Sequence, residues 1–258
     1  GTVVTDRKLG SEGGLLDRWL CRRDRAACEA VDRVWMDTPE HAEITATATG
    51  LPLAHFGVVP VADSNAPAEL LPFPRETAEV ERPGSGPLRL FAFGTGVPLH
   101  GTASLLGAVA QVEGLELTLL GGRPQDREAA GRLPKGRVRI LDGWLDPEGL
   151  AGELARCHLV AGIYGDSAKA RAVVPFKVAH ALAAGRAVVT SATPSQERLL
   201  RDRGAALWCR PGDPEDLAEA LKVAVEIWRE SPHEIEAMGR AARQVHDAEL
   251  SAPALGSA

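Results

Sequence analysis

From residue 87 onward, short apolar runs alternate with segments of helical periodicity, and this alternation constrains the fold more than any other feature. The runs are nearly continuous, as is typical of strands buried on both faces of a sheet. They lie at 88–93, 115–120, 138–141, 159–164, 187–190 and 205–209. The helical segments lie near 102–112, 146–156, 175–184, 194–201 and 214–229. This order predicts an α/β fold with a doubly wound parallel sheet.

Sheets of this type bind their ligands at the carboxyl ends of the strands, where the connecting loops meet. In this sequence those loops span 94–101, 121–125, 142–146, 164–176 and 190–195. We therefore expect any ligand site to be built from them.

The N-terminal part predicts a smaller α/β unit of helix, strand, helix and strand. Its strands cover 34–36 and 56–60, and Thr38 is a candidate cap for the second helix. Prolines and Gly84-Ser85-Gly86 then mark a linker. We divide the chain into an N-terminal unit at 1–62, a linker at 63–86, a main domain at 87–230 and a C-terminal helix at 231–258.

Composition excludes several classes of protein. The net charge of −6 over 258 residues provides no positive field for nucleic acid. Four cysteines without a C-x-x-C pair argue against a zinc site or a disulfide scaffold and suit a reducing cytosol. No run approaches the roughly 20 apolar residues that a membrane span needs. The chain starts at Gly1, which favours a processed chain or a fragment of a longer protein.

The first loop of the main domain, 94–102, reads GTGVPLHGT and opens a helix. A dinucleotide fingerprint would need a third glycine at Leu99, and a Walker A loop would need lysine at Thr102, so both fail. Small residues still allow a ligand close to the backbone, and the helix N-terminus favours an anion. A tight turn without a ligand explains this loop equally well.

The loop after the fourth predicted strand indicates an anion site more strongly. Pro175 suits a first helical turn, so Lys177 and His180 lie on one face near a helix N-terminus. A cation is unfavourable there unless an anion lies between it and the helix. The alternative is that Lys177 extends to solvent while His180 packs among alanines.

Four segments in this order resemble the retaining GT-B glycosyltransferases of family 4. The run 94–101 matches the G-T-x-x-P-L-H-G of a variant group, and 169–178 matches its K-A-x-x-V-x-P-x-K-V. The run 180–189, HALAAGRAVV, is similar to the family's E-A-M-A-x-G-x-P-V-V, and 212–218 to its G-D-P-x-x-L-A. The resemblance implies a Rossmann-like GT-B C-terminal domain. It also makes 1–62 a truncated remnant of the acceptor-binding domain, onto which the C-terminal helix packs back.

The resemblance implies sugar transfer, with retention, from a nucleotide-diphospho-sugar to an acceptor. It implies no bound metal and no cofactor. By position it assigns catalytic roles to His100 and Lys177, and donor contacts to Gly94, Thr95, Gly96, Gly101, Asp142, Gly143, Trp144, Lys169 and His180. Asp142 to Trp144 would hold the nucleobase. His100 could add positive charge only if protonated.

The sequence departs from the family at its E-x7-E pattern, where it has Ala172 and His180. An imidazole can bond one ribose hydroxyl, but it cannot accept from two as a carboxylate does. The family's usual role in polysaccharide or glycolipid synthesis predicts a cytoplasmic protein that works at the inner membrane face.

Two other functions remain open on the sequence. The chain could be a non-catalytic nucleotide-sugar-binding module, or one subunit of a split enzyme whose acceptor domain is a separate polypeptide. A nucleotide-sugar 2-epimerase shares the fold, but no cluster of acids and bases here matches it.

Overall fold

The computed structural model describes residues 10–11, 13–61, 70–74 and 84–256. Much of the predicted linker at 63–86 lies outside these residues. In chain order the helices are α1 Leu15–Glu29, α2 Pro39–Thr49, α3 Thr102–Gln111, α4 Pro124–Gly131, α5 Pro147–Arg156, α6 Ala168–Ala172, α7 Phe176–Ala183, α8 Pro194–Leu200, α9 Pro214–Glu230, α10 Pro232–Glu249 and α11 Ala252–Gly256. The strands are β1 Val34–Met36, β2 Phe56–Val58, β3 Leu88–Gly94, β4 Leu115–Gly121, β5 Val138–Leu141, β6 Leu159–Ala161, β7 Ala187–Ser191 and β8 Ala206–Cys209.

The main domain is built on a six-stranded parallel sheet with the order β5-β4-β3-β6-β7-β8. The strand order reverses between β3 and β6, so the chain leaves these neighbouring strands toward opposite sides. This confirms the predicted doubly wound α/β fold, and it creates a crevice at the carboxyl ends of β3 and β6.

Apolar side chains cover both faces of the sheet, which explains the continuous apolar runs in the sequence. On one face, α3 and α9 pack on Leu90 and Leu117. On the other, α5, α7 and α10 enclose Phe91 and Val160. Helix α9 begins at a capped turn, where Asp213 accepts hydrogen bonds from the backbone N–H groups of Glu215 and Asp216.

The N-terminal unit pairs β1 with β2 in parallel and packs α2 on them around a small core of Ala42, Ala46 and Phe56. Helix α2 also joins this unit to the main domain. The Thr38 hydroxyl, which caps α2, donates to the carbonyl of Ala172. Arg198 of α8 pairs with Glu40 at 2.9 Å.

Arg186 fixes the described part of the linker, 70–74, on the main domain. Arg186 is 1% exposed, and its guanidinium donates to several backbone carbonyls, including those of Leu71 at 3.3 Å and Pro72 at 2.6 Å. It also lies 5.5 Å from the centre of the Phe73 ring. Carbonyl oxygens take the place of the carboxylate that usually accompanies a buried cation.

Three local predictions differ from the structure. The strand predicted at 159–164 ends at Ala161, and the next residue, Gly162, packs so closely on Thr190 that a Cβ there would overlap its hydroxyl oxygen. The predicted loop at 164–176 contains the five-residue helix α6, and α4 also had no helical prediction. Both helices are too short or too polar to show an apolar period.

The C-terminal helix α10 packs mainly on α7, α9 and β7 of the main domain, whereas the sequence placed it on the N-terminal unit. Two glycines explain the difference. Gly239 of α10 lies so close to Gly185 that a Cβ at 239 would overlap the Gly185 carbonyl oxygen. Arg243 also donates to the carbonyl of Ala183 at 2.9 Å.

Among the described residues, no helix is both long enough and apolar enough to cross a bilayer.

Candidate functional site

Two loops meet at the crevice between β3 and β6. The backbone N–H of Gly165 donates to the carbonyl of Leu99 at 3.0 Å. Gly101, at φ +61°, packs against Tyr164, and a Cβ there would lie 2.7 Å from the Tyr164 Cβ. The glycine loop and the loop after β6 therefore form one continuous wall at the carboxyl edge of the sheet.

Glycine is required where this wall folds back on the sheet. Gly94 ends β3 at φ +136°, and a Cβ there would lie 2.7 Å from Cε1 of His100. Gly96, at φ +70°, approaches the backbone after β4, where a Cβ would lie 2.8 Å from the Arg123 nitrogen. These approaches bring His100 over the end of β3 and leave the backbone of 94–95 facing the crevice.

A cavity of about 400 Å³ occupies the crevice. Its polar lining comes from Thr95, His100, Lys177 and His180, together with backbone at glycines 94, 121 and 143. The other lining residues are apolar or aromatic: Phe93, Leu120, Trp144, Leu145, Pro147, Leu150, Ala151, Leu154, Pro175 and Phe176. This combination, an apolar pocket with a few convergent polar groups, is typical of a small-molecule site.

Lys177 is the cation of this cavity. It is the second residue of α7 and only 8% exposed. No described carboxylate pairs with it, and burial alone lowers its pKa to about 7. The positive end of the α7 dipole adds to the cost of its charge. An anion in the cavity would relieve both costs.

His100 is the second predicted catalytic residue, and the structure corrects the expectation that it could add positive charge. Burial, and then the charge of Lys177, lower its pKa to about 3. The ring is therefore neutral near pH 7. A neutral imidazole can donate or accept a hydrogen bond, but it leaves Lys177 to supply the charge.

His180 lies one turn further along α7, on the cavity side. Its Nδ1 lies 3.2 Å from the carbonyl of Phe176, four residues earlier. Its ring packs edge-on against Phe176 at 4.3 Å and Phe93 at 6.1 Å between ring centres. The sequence offered two interpretations of His180, a residue that faces a ligand site or one that packs in the interior. In the structure its ring packs against two phenylalanines and also lines the cavity.

The structure brings together seven of the eleven predicted site residues, namely Gly94, Thr95, His100, Gly143, Trp144, Lys177 and His180. The other four do not line the cavity. Gly96 and Gly101 shape the glycine loop, and Lys169 lies on α6. Asp142 is 92% exposed and forms an ion pair with Arg127.

Sequence reasoning missed the apolar walls. Phe93 precedes the glycine loop, Phe176 precedes Lys177, and α5 contributes Leu150 and Leu154. The two phenylalanines could have been found, because each adjoins a residue already assigned to the site. The α5 residues could not, because their place depends on how that helix lies on the sheet.

No aspartate or glutamate lines this cavity among the described residues. Nor does the described part of the chain hold any group of three or more His, Cys, Asp or Glu side chains suited to a metal ion. The described site offers one cation, two imidazoles and backbone N–H groups, which suit an anionic ligand.

Solved structures share this architecture. The chain is similar over its whole length to sucrose-phosphate synthase from Thermosynechococcus elongatus, with 20% identity and a TM-score of 0.75. It is similar over 88% of its length to Anabaena HepE in complex with UDP and glucose (16% identity, TM-score 0.65). It is similar over 84% to WaaG, a glycosyltransferase involved in lipopolysaccharide biosynthesis (17% identity, TM-score 0.61). The molecule thus has the α/β fold of the GT-B glycosyltransferases.

The sequence places the chain within a family. Residues 88–226 match the model of the glycosyl transferases group 1, and the chain belongs to that family. No curated protein sequence matches significantly. The chain spans 64%, 61% and 59% of the three structures named above, or about three-fifths of their length.

Proposed function

We propose that this chain carries the donor site of a retaining, family 4-like glycosyltransferase that uses a nucleotide-diphospho-sugar. The observation that carries the proposal is Lys177, buried without a described carboxylate partner in a cavity at the carboxyl edge of a doubly wound sheet. The UDP held by the related Anabaena structure supports a nucleoside diphosphate as the ligand.

The proposed reaction needs positive charge where the leaving group forms. The anomeric carbon exchanges its bond to a diphosphate oxygen for a bond to an acceptor oxygen, and the acceptor loses a proton. Negative charge develops on the departing diphosphate. Lys177 would stabilise it on one side, and N–H groups of 94–95 with the neutral His100 would stabilise it on the other.

The remaining parts of the cavity fit the rest of such a donor. Trp144, 79% exposed at the rim, and Phe176, 46% exposed, offer faces on which a nucleobase can stack. Gly143 leaves room beside them. We propose that His180 contacts the ribose. With no acid among the described lining residues, we propose that the diphosphate is bound without a metal ion. The resemblance to family 4 enzymes favours a hexose as the transferred sugar.

A donor screen tests this function. The screen uses three proteins: the wild type, Lys177→Ala and Lys222→Ala. Each is mixed with the diphosphates of uridine, guanosine and adenosine and with their hexose conjugates. Lys222 is an exposed lysine paired with Glu219, so it provides the matched control. We expect one donor series to raise the melting temperature of the wild type and of Lys222→Ala, but not of Lys177→Ala. A shift of equal size in all three proteins, or in none, would contradict the proposal.

A second candidate function rests on the surface of the N-terminal unit. Leu15 and Trp19 of α1 are 88% and 51% exposed, and Trp35 of β1 is 61% exposed, beside a core that is small in the described residues. Exposed apolar surface of this kind is typical of an interface. The chain would then be a donor-binding subunit that works with a separate acceptor-domain polypeptide in polysaccharide or glycolipid synthesis at the inner membrane face. Sugar transfer by the purified monomer alone would exclude this alternative.

A further inference from the structure

The chain that leads into α7 is held by polar side chains from α8. This entry segment runs from Arg171, in α6, to Pro175, the residue before α7. The Ser195 hydroxyl lies 3.0 Å from the carbonyl oxygen of Val173 and 3.2 Å from that of Arg171, so its single proton is shared between them. The side-chain amide of Gln196 also donates to the Val173 carbonyl, at 3.3 Å. Two neighbouring residues of α8 therefore fix the backbone just before α7.

These donors are fully buried, which makes the arrangement costly. Ser195, Gln196 and the adjacent Thr193 are each 0% exposed. Among the described residues, neither Gln196 Oε1 nor Thr193 Oγ1 has a hydrogen-bond partner. A buried polar atom without a partner costs free energy that an apolar side chain would avoid. Polar groups that lower stability in this way are typical of functional sites, which indicates that this cluster does more than support the fold.

The entry segment continues directly into the cavity wall. Pro175 and Phe176 line the cavity, and Lys177 follows them. The backbone is extended at Val173, with φ −113° and ψ 149°, and again at Pro175, with φ −69° and ψ 147°. Because the proline ring fixes φ at Pro175, a displacement of Val173 is carried into the first turn of α7. The place of the Lys177 amine in the cavity thus depends on how firmly Val173 is held.

We propose that Ser195 and Gln196 are positioning residues for Lys177, holding the entry segment so that the lysine amine stays enclosed and faces the diphosphate. Neither residue lines the cavity, so both act through the backbone at Val173. The inference rests on the proposed function where it concerns the diphosphate. The enclosure of the amine, in contrast, is a property of the protein alone and can be measured without a nucleotide.

Ser195→Ala tests this role, with Ser191→Ala as its matched control. Ser191 is also 0% exposed, and its hydroxyl donates to the carbonyl of Ile163 at 2.5 Å, so the control loses the same kind of bond at the same depth. Both variants should lose stability. In an NMR titration of the Lys177 side chain, Ser195→Ala should raise the pKa of the amine from about 7 toward its ordinary value of 10.5, because a loosened α7 admits water. Ser191→Ala should leave this pKa unchanged.

Two results of the titration would overturn the inference, whether or not a nucleotide binds. One is the same pKa of Lys177 in Ser195→Ala as in the wild type. The other is an equal rise in both variants, which would reflect a general loss of stability.

Calorimetry with UDP, GDP and ADP then tests the link to the diphosphate. For the nucleotide that binds the wild type best, we expect Ser195→Ala to bind about three- to tenfold more weakly, the effect of roughly one hydrogen bond. Ser191→Ala should bind as the wild type does. An unchanged affinity in Ser195→Ala would overturn the positioning of Lys177 for the ligand. Binding of none of the three nucleotides would contradict the proposed function, while the titration would still decide whether the amine is held in place.

Gln196→Met tests the second donor and does not depend on the folding of Ser195→Ala. Methionine has a similar length and removes the unpaired Oε1 together with the donated bond, so the variant should fold. We expect the pKa of Lys177 to rise in the same direction but by less, because Ser195 still holds Val173. A pKa equal to that of the wild type would overturn the role of Gln196.

Discussion

At the scale of single residues, the site is defined by one buried cation and by the absence of a described acid beside it. Lys177 pays the cost of burial at a helix N-terminus, and burial lowers its pKa to about 7. His100, neutral over the same range because its pKa is about 3, does not share the charge. Residues held in such unfavourable states are typical of functional sites.

The lysine predicts how donor binding depends on pH. A diphosphate binds the protonated amine, so the contribution of Lys177 to its affinity should be constant below pH 7 and fall about tenfold per unit above it. Calorimetric titrations of the best nucleoside diphosphate between pH 6 and 9 measure this slope.

Lys177→Arg is the matched control for that titration. Arginine stays charged throughout this range, so the variant should bind with an affinity that changes much less above pH 7. The variant keeps His100, His180 and the titration of the phosphate, so these contribute equally to both proteins. Parallel pH profiles for wild type and variant would contradict the role of Lys177.

At the scale of elements, most helices and strands could be predicted from periodicity, and β3 to β8 agree with the predicted runs to within a few residues. Two kinds of feature could not be predicted. Helix α6 is five residues long, too short for an apolar period. The place of α10 depends on a contact between Gly185 and Gly239, which are far apart in sequence.

That contact predicts an asymmetry between two helical glycines. Gly239→Ala should destabilise the chain by about 1–3 kcal/mol, because its methyl group would overlap the carbonyl oxygen of Gly185. Gly107→Ala, inside α3 with open space around it, should be neutral or stabilise by about 0.5–1 kcal/mol. Urea unfolding measures both. Equal effects would show that α10 does not pack against the turn after α7 as described.

The sequence predicted the candidate site about as completely as it predicted the helices and strands. Glycine positions and the paired Lys177 and His180 follow from local patterns at strand ends, and the cavity brings them together. Asp142, a predicted donor contact, does not line the cavity and pairs with Arg127, a contact that the sequence does not show. The apolar wall from α5 is likewise a product of tertiary packing.

At the scale of the whole molecule, the N-terminal unit is joined to the main domain mainly through α2. Thr38 has two roles there, since its hydroxyl accepts the N–H of His41 at 3.0 Å and donates to the carbonyl of Ala172. The side chain is 1% exposed, so neither bond can be replaced by water. The same contact lies only a few residues from Pro175 and the start of α7, which ties the unit to the cavity wall.

Removing this hydroxyl should weaken the whole chain. Thr38→Val loses a helix cap and leaves a buried carbonyl unpaired, and we expect a loss of about 2–3 kcal/mol in the free energy of unfolding. Thr38→Ser keeps the hydroxyl and should lose less than about 1 kcal/mol. Denaturant unfolding of both variants makes the comparison, and similar losses in the two would contradict the account of this contact.

A diphosphate bound between the glycine loop and α7 is the central feature of the proposed function. The most direct test is a crystal structure of the chain with the nucleoside diphosphate that stabilises it most. We predict phosphate oxygens within about 3.2 Å of Lys177 Nζ and of a backbone nitrogen in 94–95. A diphosphate bound elsewhere, with Lys177 out of contact, would contradict the central claim.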